Sequence, residues 1–80
     1  MTVGRFTDLL WNRLADVDDF GWRIITSPHG VELRIWRGDE AKRASYRWST
    51  RQLHAHDEAV LIGAAVETVM DLRRRVGCPA

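Results

Sequence analysis

The apolar residues of this 80-residue chain change their spacing twice, and that double switch narrows the folds open to it more than any single motif. Phe6, Leu9, Leu10, Leu14 and Val17 fall at i, i+3, i+4, i+8 and i+11, one face of an α-helix. From Trp22 onward the period drops to two. Trp22 and Ile24, then Val31, Leu33 and Ile35, then Ala44, Tyr46 and Trp48 alternate with polar or charged neighbours, the mark of strands buried on one side. Beyond Asp57 the helical period returns through Leu61, Ala65, Thr68, Leu72 and Val76. The connections are too short for parallel crossovers, so the strands form an antiparallel meander. The expected fold is α+β, α-β-β-β-α, a three-stranded antiparallel sheet with two helices packed on one face, in a single domain over residues 1–80.

Local signals set the boundaries. Thr2 or Thr7 suits the first N-cap, and the helix is expected from about Arg5 to Ala15. Asp16, Asp18 and Asp19 sit badly at the negative end of a helix dipole, and Gly21 suits a stop. Ser27-Pro28-His29-Gly30 and Gly38-Asp39-Glu40 carry turn chemistry between the strands. The last helix has two candidate starts. Ser49-Thr50-Arg51-Gln52 fits a capping box, and Asp57 is the other candidate cap. Arg73, Arg74 and Arg75 complement the negative end of this helix, Gly77 can close it and Pro79 prevents continuation.

Alternation assigns the faces of the sheet. Trp22, Ile24, Val31, Leu33, Ile35, Ala44, Tyr46 and Trp48 are expected against the helices. Arg23, Ile25, Glu32, Arg34, Trp36, Arg43, Ser45 and Arg47 are left on the open side. Arginines can stack there on Trp36 and pair with Glu32. Arg23, Arg34, Trp36, Arg43 and Arg47 are thus one candidate partner-binding surface. Asp16, Asp18 and Asp19 are another, of opposite sign. On the last helix Ile62, Val66, Val69 and Met70 add a second apolar stripe, and Ile62, Val66 and Met70 are the candidate homodimer interface.

Composition removes several function classes. The net charge of +1 is no nucleic-acid-binding tail, although every basic residue except Lys42 is arginine, which favours forked contacts with carboxylate or phosphate. A single cysteine, Cys78, forms no internal disulfide, and the expected compartment is cytoplasmic. No apolar run reaches the ~20 residues of a membrane span, and the first residues lack the apolar core of a signal peptide. His54, His56, Asp57 and Glu58 are the only clustered metal-ligand types. His29, the remaining histidine, lies in a separate turn, so neither a metal nor another cofactor is expected. Asp16 to Asp19 lack the glycine and later glutamate of a calcium loop. No nucleophile motif or glycine-rich phosphate loop is present, and the chain reads as a binder, not an enzyme.

The order of elements and the Pro28-His29 turn between the first two strands resemble the double-stranded-RNA-binding domain. That family holds phosphates with a Lys-Lys-x-x-Ala-Lys cluster at the start of its last helix. Gln52, His54, His56, Asp57 and Glu58 stand there instead, so the resemblance implies the topology without the RNA function. In size, arginine content and mixed build the chain is also similar in kind to small accessory proteins of phages and prophages, the anti-CRISPR proteins among them. This similarity of class carries no motif and assigns no residue. It implies stoichiometric binding to a larger protein or nucleoprotein complex, with direct nucleic-acid binding by the basic and aromatic sheet face as the alternative.

Overall fold

The computed structural model describes residues 1–77; Cys78 and Pro79, discussed above, lie outside them. The chain runs as helix α1 (Val3–Leu14), strands β1 (Gly21–Ser27), β2 (Gly30–Trp36) and β3 (Ala44–Ser49), and helices α2 (Thr50–Ala55) and α3 (Glu58–Gly77). A single 3-10 turn, Glu40–Lys42, precedes β3, with the Asp39 carboxylate accepting from the Ala41 amide at 2.9 Å. The sheet order is β1-β2-β3, both pairs antiparallel. The α+β meander expected from the change of period is the fold.

The two candidate starts of the last helix are both used, because the chain makes two helices there. Ser49 and Gln52 form the reciprocal capping box that opens α2, at 3.1 and 2.8 Å. The Asp57 carbonyl then accepts the first helical bond of α3, from the Leu61 amide. At the other end of the chain Thr2, not Thr7, caps α1 through the Arg5 amide. The Thr7 hydroxyl donates instead to the Val3 carbonyl inside the helix, so α1 starts two residues earlier than expected.

The core gathers on one side of the sheet. Phe6, Leu10 and Leu14 of α1 and Leu61, Ala65, Val69 and Leu72 of α3 close over Val31, Leu33, Ile35 and Trp48, with Phe20 and Leu53 filling the ends. Phe6 meets Trp48 edge to face at 5.0 Å, an arrangement that aromatic quadrupoles favour. The central strand is buried most completely, as expected when both of its edges are paired. Two expectations fail on the flanks. Tyr46 shares the helix-side row with Leu33 and Ile24, yet it is 43% exposed. It stands on an outer strand and lines an open hollow against α3 with Ala64, Thr68 and Asp71, so its ring is only partly covered. Val69, read above as part of the outer stripe, is buried in the core.

The β1–β2 hairpin turns at Pro28 and His29 and requires glycine immediately after. Gly30 has φ +151°, and a Cβ there would collide with the Trp48 carbonyl of β3. The hairpin is also tied to the opening of α2, where the Thr50 amide donates to the His29 carbonyl at 3.0 Å. Among the described residues no helix is long and apolar enough to cross a membrane.

Candidate functional site

The register fixes the side of the sheet that the helices leave uncovered. Arg23, Arg34 and Ser45 form one cross-strand row, and Ile25, Glu32 and Arg47 the next. Trp36 stands opposite Gly21 at the end of the face. The strands thus bring together the residues that period-two alternation assigns to the open side, except Arg43, which precedes β3 and caps the 3-10 turn.

Arg23 and Arg34 are direct cross-strand partners, and like charges so placed cost stability unless counter-charges intervene. They do. The Arg34 Nε donates to Glu32 at 2.8 Å on its own strand. Arg47 reaches the other oxygen of Glu32 at 3.3 Å from β3. Arg23 lies 3.4 Å from Glu40 of the 3-10 turn, and the Arg43 guanidinium lies 3.5 Å from the Glu40 carbonyl. The Glu32 side chain is only 16% exposed, and its hydrogen bond from Arg34, reinforced by Arg47, holds its carboxyl below the usual glutamate range despite partial burial. Arg47, at 71% exposure, keeps most of its donors in solvent. The face is therefore a lattice of alternating charge with an excess of arginine, able to take carboxylates or backbone carbonyls through forked contacts.

Trp36 behaves differently from the expectation of an open aromatic with arginines on it. It is half-buried, and its indole fills the space over the backbone of Gly21. The cation–π contact found among the described residues lies elsewhere, with Arg73 5.0 Å above the Phe20 ring. The widely exposed tryptophan is Trp11 on α1, at 57%, which meets Trp22 edge to face at 4.9 Å. It falls between Leu10 and Asn12, off the apolar stripe of its helix, and that position is the sequence signal of its exposure.

The acidic loop does not present three equivalent carboxylates. Asp19 bonds Arg73 at 2.9 Å and lies 3.7 Å from Arg37, fastening the C-terminal part of α3 to the end of β2. All three are exposed, and these ion pairs are what set Asp19 apart from Asp16 and Asp18. On the helical side, Ile62 is exposed and Val66 half-buried, and both border a groove of about 250 Å³ shared with Phe6, Leu9 and Leu10 of α1. Met70 projects beyond them. Among the described residues no three His, Cys, Asp or Glu side chains converge as a metal site would need. No protein-family model, curated protein or solved structure matches the chain significantly.

Proposed function

We propose that the protein is a non-enzymatic binding module that acts stoichiometrically on a larger protein or nucleoprotein complex, using the uncovered face of its sheet. The observation that carries this reading is the Glu32 carboxylate at the centre of that face, shared between Arg34 and Arg47. A phosphate-gripping surface concentrates unopposed cations, because each neutralised phosphate releases counterions. Here acidic groups sit between the arginines, and such mixed charge complements a protein surface carrying both signs. Trp36 at one end of the face and the exposed Asp16 and Asp18 extend the contact region. A phage-type inhibitor of CRISPR defence is the narrower form of this proposal, and it rests on size and build alone.

The excess of arginine over glutamate keeps nucleic-acid binding as the second reading, and salt dependence separates the two. Anisotropy titrations against random-sequence duplex DNA and RNA should show weak binding that fades steeply as salt rises. In affinity capture from host lysate, the partner should be held by the wild-type chain and lost by the Arg23→Gln/Arg47→Gln variant. Those two side chains are largely exposed, so the variant should keep its circular dichroism spectrum. Equal capture by both chains would remove the sheet face as the contact. Tight duplex binding at physiological salt would promote the nucleic-acid reading.

A further inference from the structure

The sheet has two edges, and only one of them is closed off. At β3 the Ser49 amide donates to Gln52, the chain turns into α2 at Thr50, and Arg47 stands 71% exposed on the strand. Charge and an adjoining helix are common means of keeping a strand edge from pairing. β1 has no lysine, proline or bulge. Its seven residues keep one unbroken register with β2, and its one charged residue, Arg23, lies 3.4 Å from Glu40.

The hydrogen-bond pattern shows which backbone groups β1 presents. The Thr50 amide donates to the His29 carbonyl. Bonding directions alternate along an antiparallel strand, so Val31, Leu33 and Ile35 face β3, while Gly30, Glu32, Arg34 and Trp36 face β1. Their partners Gly21, Arg23, Ile25 and Ser27 therefore turn inward, and Trp22, Ile24 and Thr26 point their N–H and C=O groups outward. Among the described residues no backbone group outside the sheet bonds to these outward groups. Apolar surface accompanies them: Ile24 and Ile25 are only half-buried, and Trp11, resting on Trp22, is 57% exposed.

We infer that two copies of the chain join antiparallel through β1, with a two-fold axis passing through Ile24 perpendicular to the sheet. Trp22 then exchanges both backbone bonds with Thr26 of the second copy, and Ile24 with its own counterpart, so no outward group is left over. The neighbouring registers are poorer. An axis at Arg23 sets the two arginines directly against each other. An axis at Ile25 brings Trp22 opposite Pro28, which has no N–H to give. With the axis at Ile24, Arg23 lies opposite Ile25 of the second copy. The row Arg23, Arg34 and Ser45 then runs on into the other copy's row Ile25, Glu32 and Arg47, so the row rich in cations meets the one that holds Glu32. This charge pattern makes the edge a complement to itself. The helices of both copies fall on one side, and the two arginine faces join into one continuous surface. A seam of single strands buries less than the roughly 1,200 Å² at which stable interfaces begin, so the dimer is weak. The pairing is independent of what the joined surface binds.

Amide hydrogen exchange on the wild-type chain reads this edge directly. Protection of Trp22, Ile24 and Thr26 should rise several-fold as the chain is concentrated from micromolar to millimolar, while Arg23 and Ile25, already bonded to β2, should not change. Thr26→Pro removes an outward N–H and none that faces β2, at an edge where proline is tolerated. It should weaken dimerisation in sedimentation equilibrium at least tenfold and keep the circular dichroism spectrum. Mixed cross-linking fixes the register. In a Cys78→Ser background, chains with Arg23→Cys should form disulfides with chains carrying Ile25→Cys faster than either forms them with itself. Like positions sit diagonally across the seam, about 7–8 Å apart, beyond the reach of an unstrained disulfide. Exchange at the three outward amides that is independent of concentration overturns the inference. So does a dimer indifferent to Thr26→Pro, or self-linking as fast as the mixed reaction.

Discussion

The indole of Trp36 occupies the space that a side chain at Gly21, its cross-strand partner, would need. The pair makes the end of the uncovered sheet face a packed corner, and any residue larger than glycine at position 21 must displace a rigid aromatic ring. Gly21→Ala should cost about 1–3 kcal/mol by overpacking. It should also swing Trp36 into solvent, seen as a shifted indole N–H resonance. An unmoved Trp36 resonance with unchanged stability would show that the ring does not depend on that glycine.

Glu32 makes acid stability a property of the sheet face. Arg34 holds its carboxyl below the ordinary range, so the folded chain binds the proton less readily than the unfolded one. The resulting stability is complete above the unfolded glutamate value, about 4.3, and is lost as pH falls through the lower folded value. Glu32→Gln should remove on the order of 1 kcal/mol at neutral pH. It should also flatten the fall in stability between neutral pH and pH of about 3. Denaturant midpoints measured over that range check both expectations. A variant as acid-sensitive as the wild type would assign the effect to other carboxylates.

The two sides of β2 should respond to truncation very differently. Leu33 is fully buried, and Leu33→Ala should cost on the order of 2–4 kcal/mol. Arg34 lies on the other side in a partly solvated ion pair, and Arg34→Ala should cost less than about 1 kcal/mol. Urea denaturation of the two variants measures the contrast, and a reversed order would mean a register displaced by one residue.

Asp19 should matter locally more than globally. Removing it with Asp19→Ala frees Arg73 and Arg37 and loosens the attachment at the C-terminal part of α3. Amide exchange in the last turns of α3 should accelerate several-fold while global stability falls by under about 1 kcal/mol, the range of exposed ion pairs. Unchanged exchange there would leave Phe20 and its contact with Arg73 as the effective anchor.

The fold was legible because each period appears where its partner elements need it. The alternation of Leu33 and Ile35 with Glu32 and Arg34 admits one register with a dry side, and the capping signals at Ser49 and Asp57 each mark a real helix start. Three features escaped for a common reason. Tyr46 and Trp36 obey their local patterns, but their exposure is set by neighbours distant in sequence, the open hollow beside α3 and the absent side chain of Gly21; Asp19 is exposed as its loop implies, and what escaped is its pairing with Arg73. Periodicity gives the side of the sheet on which a residue lies and is silent on how much of it the opposite element covers. The site was legible as a set of residues and not as a charge lattice, because the pairing of Arg23 with Glu40 depends on a 3-10 turn that extends the expected loop.

The sheet is a run of local hairpins, whereas the layer that dries it comes from the two ends of the chain. During synthesis β1, β2 and β3 can pair as soon as they emerge, but Leu33 and Ile35 stay wet until Leu61, Ala65, Val69 and Leu72 have followed. Until then only Phe6, Leu10 and Leu14 of α1 can cover the meander, and part of its apolar side faces water. Burial of the sheet is therefore completed only by α3, and a nascent chain ending before that helix exposes an apolar sheet surface to whatever is nearby.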